Sequence, residues 1–166
     1  DLDAPTKRVV RMDITKPGRE QLTEVLPARK ETLDGASLMS ERIIGRYMVD
    51  VLTESEVFDL DGKPVTEIER PGQGTFVSFG GDADDTETFF VFTSYNTPTR
   101  IYRYDIPGDK LELVREAKVD FDPDRFVVEQ VFFNSKDGTR VPMILAYRKG
   151  LATDKPQPTL LYGYGG

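Results

Sequence analysis

The sequence predicts a mainly β chain, a partial β-propeller of about two and a half four-stranded blades followed by the first strands of an α/β domain. Three observations predict it. An Asp closing an apolar-rich strand recurs at Asp13, Asp59 and Asp105, each 46 residues after the last. Strands such as Phe89-Phe90-Val91-Phe92 are apolar on both faces, so both faces call for cover. After residue 118 the repeat stops and a hairpin pattern replaces it.

The first repeat keeps only its last two strands, near Lys7–Ile14 and Gln21–Leu26. The second reads as Ala36–Ser40, Ile43–Val51, Ser55–Leu60 and Pro64–Glu69, with Asp61-Gly62 as a hairpin turn. The third reads as Thr75–Phe79, Thr86–Tyr95, Thr99–Ile106 and Lys110–Glu116, separated by Gly-, Asn- and Pro-bearing turns. Leu111-Glu112-Leu113-Val114-Arg115 mixes charge into its pattern, as a wet outer strand does. Neighbouring blades would cover the doubly apolar strands, although an antiparallel sandwich with coincidental spacing would share the pattern. The three repeated Asp residues read as turn-formers rather than metal ligands. Two and a half blades do not close a ring of four to eight, so the pattern implies a larger parent protein.

Lys118–Asp124 is acidic, carries a Pro and reads as a link, dividing the chain into residues 1–118 and 119–166. Phe126–Phe133 and Thr139–Tyr147 form a hairpin about Asn134–Gly138. A polar loop leads to a short apolar strand, Thr159–Tyr162, that stops at Gly163-Tyr164-Gly165-Gly166. A buried strand ending in a glycine-rich turn fits the opening of an α/β-hydrolase domain, where such a turn carries one arm of an oxyanion hole. A plain tight turn is the other reading. Tyr162 reads as core packing.

Composition narrows the chemistry. The net charge of −7 has acids and bases interspersed, which argues against a nucleic-acid groove or an anionic membrane surface. There is no Cys and no His, which excludes thiolate sites and leaves zinc or copper only carboxylates. No apolar run reaches the roughly 20 residues of a membrane span. No metal or cofactor is expected. Ten Phe and seven Tyr supply the aromatic mass of a real core. The start at Asp1 and the end at Gly166 look like cuts through a longer chain.

The stretch Phe132-Phe133-Asn134-Ser135-Lys136-Asp137-Gly138-Thr139-Arg140-Val141-Pro142-Met143, then Lys149-Gly150, then Thr159 to Gly166 resembles the prolyl oligopeptidase family. Asp85–Tyr95 resembles a late blade of the same family, and the resemblance is dense after residue 84 and loose before it. Two consequences follow for the fold: a seven-bladed propeller joined to an α/β-hydrolase catalytic domain, with these motifs where the chain leaves the propeller. For function the resemblance implies a serine endopeptidase that cuts short peptides on the carboxyl side of proline, its propeller admitting oligopeptides and excluding folded proteins. The implied partners are proline-containing oligopeptides and the remainder of the parent polypeptide, and the implied compartment is the cytoplasm, with the periplasm compatible.

One catalytic position carries over. Tyr164 matches the family tyrosine whose hydroxyl donates to the developing oxyanion, and a phenol with a pKa of about 10 is a neutral donor at pH 7. The serine, aspartate and histidine lie downstream of this motif in the family, so the isolated chain is expected to be inactive. Two alternatives remain at this point. One is an oligopeptidase B-like enzyme cutting after Arg or Lys, whose motif usually continues with Ser or Ala where this chain has Gly166. The other is a non-catalytic propeller scaffold.

Overall fold

The computed structural model describes residues 3–152 and 154–163. Strands β1 (Val9–Arg11) and β2 (Thr23–Leu26) form an antiparallel pair. Next come β3 (Thr32–Met39), β4 (Arg42–Val49), β5 (Leu52–Phe58) and β6 (Pro64–Ile68), a four-stranded antiparallel meander. A second meander follows, with β7 (Thr75–Gly80), β8 (Glu87–Thr93), β9 (Arg100–Asp105) and β10 (Lys110–Glu116). Strands β11 (Phe126–Asn134) and β12 (Arg140–Arg148) make a separate hairpin. The result is one half-blade, two complete blades and a hairpin, and the blades do not close into a ring.

The repeated Asp residues explain the register of the blades. Asp13, Asp59 and Asp105 stand at or just past the ends of β1, β5 and β9, so β1 and β2 are the third and fourth strands of a blade. Each carboxylate folds the next turn. Asp13 Oδ1 accepts from the Thr15 amide at 2.8 Å and the Thr15 hydroxyl at 2.7 Å, bonds that hold its carboxyl below the ordinary value. Asp59 Oδ1 accepts from the amides of Asp61 and Lys63, and Asp105 Oδ1 from that of Gly108. Gly62, at φ 81°, completes the expected β5–β6 turn. A Cβ there would lie 1.9 Å from the Val25 carbonyl oxygen, so only glycine lets the half-blade approach so closely.

The core lies between sheets. Alternation along β4 and β5 sends Ile44 and Val57 to one face and Ile43, Tyr47 and Phe58 to the other. The second set packs on Val25 and Leu26 of the half-blade. The first set joins Met39 and Ile68 against the aromatic face of the second blade, where Phe76, Phe90, Phe92, Tyr102 and Tyr104 are buried. Phe76 meets Phe90 edge-on at 4.8 Å and Phe90 stacks on Tyr102 at 5.5 Å. The opposite face of the second blade is open, with Phe89 45% and Val77 47% exposed. β10 is mostly exposed, as its charge pattern predicts.

Several strand limits, and one whole strand, differ from the sequence expectation. β3 starts at Thr32 rather than Ala36, because Asp34-Gly35 is a bulge within the strand and not a turn before it. β5 starts at Leu52 rather than Ser55, because the β4–β5 connection is a two-residue turn at Asp50-Val51. The predicted strand over Thr159–Tyr162 does not form. No other described strand pairs with it, and Leu160, Leu161 and Tyr162 are exposed. Helical structure among the described residues is limited to single 3-10 turns at Arg19–Gln21 and Pro123–Arg125, so the α layer of an α/β fold is not seen among them.

Candidate functional site

The blade ends and the hairpin enclose a cleft of about 460 Å³. Three blade elements form one wall: the Asp50-Val51 turn, the Gln73–Thr75 segment that enters β7, and the Thr93–Tyr95 end of β8. Pro142, Met143 and Ile144 of β12 form the other. Each piece is positioned by local chemistry. Gly74 is required where the chain passes β8, since a Cβ would sit 2.3 Å from the Thr93 carbonyl oxygen. The bend after β8 is fixed by paired backbone bonds between Ser94 and Thr97 and by the Ser94 hydroxyl donating to Asn96 Oδ1 at 3.0 Å.

The hairpin is shaped by its own turn. Ser135 and Thr139 close it through an amide-to-carbonyl bond of 2.8 Å, and Gly138 takes φ 84°. Asp137 Oδ1 accepts from the Thr139 amide at 3.0 Å, which holds the Asp137 carboxyl below its usual range. At the hairpin base the Lys149 amide donates to the Arg125 carbonyl, and Asp122 caps the short Pro123–Arg125 turn. The link thus enters β11 through an ordered turn.

Tyr164, the predicted oxyanion donor, lies outside the described residues, as do Gly165 and Gly166. Tyr162 lines the cleft and is 76% exposed, not packed in a core. Its expected burial needs a sheet on either side of Thr159–Tyr162, and the described residues provide none. Among the described residues no cluster of His, Cys, Asp or Glu could hold a metal ion. The cleft lining mixes the apolar Val51, Leu52, Pro142, Met143 and Ile144 with the uncharged polar Gln73, Thr75, Thr93, Ser94, Tyr95 and Tyr162, and no charged residue lines it among the described residues.

The residues that sequence reasoning missed here are Asp50, Val51, Gln130 and Arg140. The sequence pattern places Asp50 and Val51 at the end of the Ile43–Val51 strand, yet both take positive φ, 48° and 68°. The only signal was the Asp itself, a residue that tolerates this conformation.

The sequence profile described as the prolyl oligopeptidase N-terminal β-propeller domain matches residues 1–117. A prolyl endopeptidase of Elizabethkingia meningoseptica is 37% identical over all 166 residues, which span 23% of that relative's length. A dual function macrocyclase-peptidase of Galerina marginata is 29% identical, again over the whole chain and 23% of the relative. Among solved structures, one from a study of two prolyl endopeptidases superposes with a TM-score of 0.83 at 37% identity, covering 90% of this chain and 22% of that one. Oligopeptidase B from Trypanosoma brucei superposes with a TM-score of 0.74 at 24% identity, over 89% of this chain and 23% of that one, and shares the fold.

Proposed function

The chain belongs to the prolyl oligopeptidase family through its N-terminal propeller domain, and from that membership we propose that it is the propeller-to-catalytic-domain portion of a serine endopeptidase. In this reading the propeller ends near residue 118, and the β11–β12 hairpin opens an α/β-hydrolase domain. The enzyme cuts short peptides on the carboxyl side of proline, and the blades limit the size of what enters. The observation that carries the reading is the match of the whole chain, hairpin included, to a prolyl endopeptidase at 37% identity. The oligopeptidase B alternative has only fold-level support by comparison.

Tyr164 donates its hydroxyl to the oxyanion in this reading. Flanking glycines let the backbone aim the side chain, and a neutral phenol donates without losing its proton at pH 7. The serine, histidine and aspartate belong to the longer polypeptide, since this chain has no His to serve as base. The isolated chain is therefore inactive.

The test is turnover of a chromogenic prolyl peptide by the full-length polypeptide and its Tyr164→Phe variant. Removing one oxyanion donor costs roughly 100- to 1,000-fold in kcat. Near-normal turnover in the variant would remove Tyr164 from the mechanism. Preference for an Arg or Lys peptide over the prolyl one would transfer the reading to the oligopeptidase B group. No cleavage of either peptide by the full-length polypeptide would leave the scaffold reading.

A further inference from the structure

The β11–β12 hairpin reaches the blades through one turn. Alternation along the hairpin places Gln130 and Phe132 on one face with Arg140, Pro142 and Ile144, as their cross-strand pairing requires. From this face the Gln130 side-chain amide donates to the Asp50 carbonyl, and the Arg140 guanidinium lies 3.5 Å from the Asp50 carboxylate. Arg140 is itself held in place, its guanidinium 3.2 Å above the Phe132 ring. Among the described residues, these are the hydrogen bond and ion pair that join hairpin to blade. Both end on Asp50.

The turn that carries Asp50 is also unusual in its backbone. Both central residues have positive φ, and the second is the β-branched Val51 at 68°, a conformation sparsely allowed to it. This geometry points the Asp50 carbonyl and carboxylate together toward the hairpin. Val51 and Leu52, just beyond, line the cleft opposite Pro142, Met143 and Ile144.

We propose that the Asp50-Val51 turn is a clasp that docks the hairpin on the blades and so sets how wide the cleft between them stands. The proposal rests on the reading that the hairpin opens a second domain, since only then does its docking govern access between two domains. Because both partners of the ion pair are exposed, the clasp is weak by design of its surroundings, and it opens and recloses readily.

The experiment follows cleft opening without using turnover. This chain has no Cys, so Ile144→Cys places a thiol in the cleft wall on the blade-facing side of the hairpin, and its rate of labelling by a maleimide is read by mass spectrometry of the tagged peptide from the full-length polypeptide. Asp50→Asn and Arg140→Gln should each speed labelling about two- to five-fold, the range an exposed ion pair supports. The double variant should be no faster than the faster single one. Salt at about 1 M should speed labelling of the parent thiol protein and leave the double variant nearly unchanged. Unchanged rates in both single variants, or rates that multiply in the double one, would overturn the clasp. A polypeptide that cuts no prolyl peptide can still show the labelling pattern, so failure of the peptidase reading and failure of the clasp are told apart.

Discussion

Asp109 sits where two blades meet, and its two carboxylate oxygens have different partners. Oδ1 accepts from the Tyr104 hydroxyl at 2.7 Å, and Oδ2 from the Thr66 hydroxyl of β6 at 2.9 Å. Tyr104 is only 1% exposed, and burial, then the bond to Asp109, push its phenol well above the ordinary value of about 10. The sign follows directly. The folded chain keeps the proton on Tyr104 where an unfolded tyrosine would lose it, so this contribution is complete below pH 10 or so and declines as pH rises further. Tyr104→Phe should cost about 1.5 kcal/mol at pH 7, the low end for a bond to a charged group because Asp109 is exposed. Urea denaturation at neutral pH and above about pH 10 should show the gap between parent and variant narrowing with alkalinity. A gap that stays constant would mean that the fold does not hold the Tyr104 phenol in its protonated form. Turn-forming Asp residues were legible in the sequence because their bonds are made within four residues of themselves. Asp50 was not, because what marks it is a contact with Gln130 and Arg140, about 80 residues away or more.

At the scale of the element, β8 shows how much a strand pattern reveals. Its doubly apolar run correctly signalled a strand that needs cover, and one face receives it: Phe90 is 1% exposed and Phe92 is fully buried. Phe90 touches Phe76, Phe79 and Tyr102 at ring distances of 4.8 to 5.5 Å, so truncation removes several aromatic contacts together. Phe90→Ala should destabilise by about 3–5 kcal/mol, measured by chemical denaturation. A loss below about 1 kcal/mol would show that the inter-blade core collapses around the gap. Pattern was a poorer guide where a strand's existence depends on distant partners. Thr159–Tyr162 has the composition of a buried strand, but strand formation needs hydrogen-bonded neighbours that local sequence does not provide. The Asp34-Gly35 bulge misled for the opposite reason, since its residues favour turns while the pairing of β3 with β4 continues through them.

At the scale of the molecule, the blades are asymmetric in what they cover. The first complete blade is packed on both faces, by Val25 and Leu26 on one side and the Phe76–Phe90–Tyr102 aromatics on the other. The second blade is packed on one. On its open face Val77, Val91 and Ile101 stand in a cross-strand row beside Phe89, which pairs with Arg103. Arg103 is tied to Glu87 and Glu112, so a polar border flanks the apolar row. A propeller face of this kind is built to receive the next sheet, and rings of four to eight blades leave no blade without one. In the full-length polypeptide, Phe89 should therefore behave as a core residue. Phe89→Ala there should cost about 3–5 kcal/mol, comparable to Phe90→Ala, although in this chain Phe89 is nearly half exposed. The measurement is chemical denaturation of the two variants side by side, with hydrogen exchange of the β7–β9 amides following the blades. If Phe89→Ala costs less than about 1 kcal/mol while Phe90→Ala costs several, the outer face is wet in the full protein, and the blades form an open arc rather than a ring.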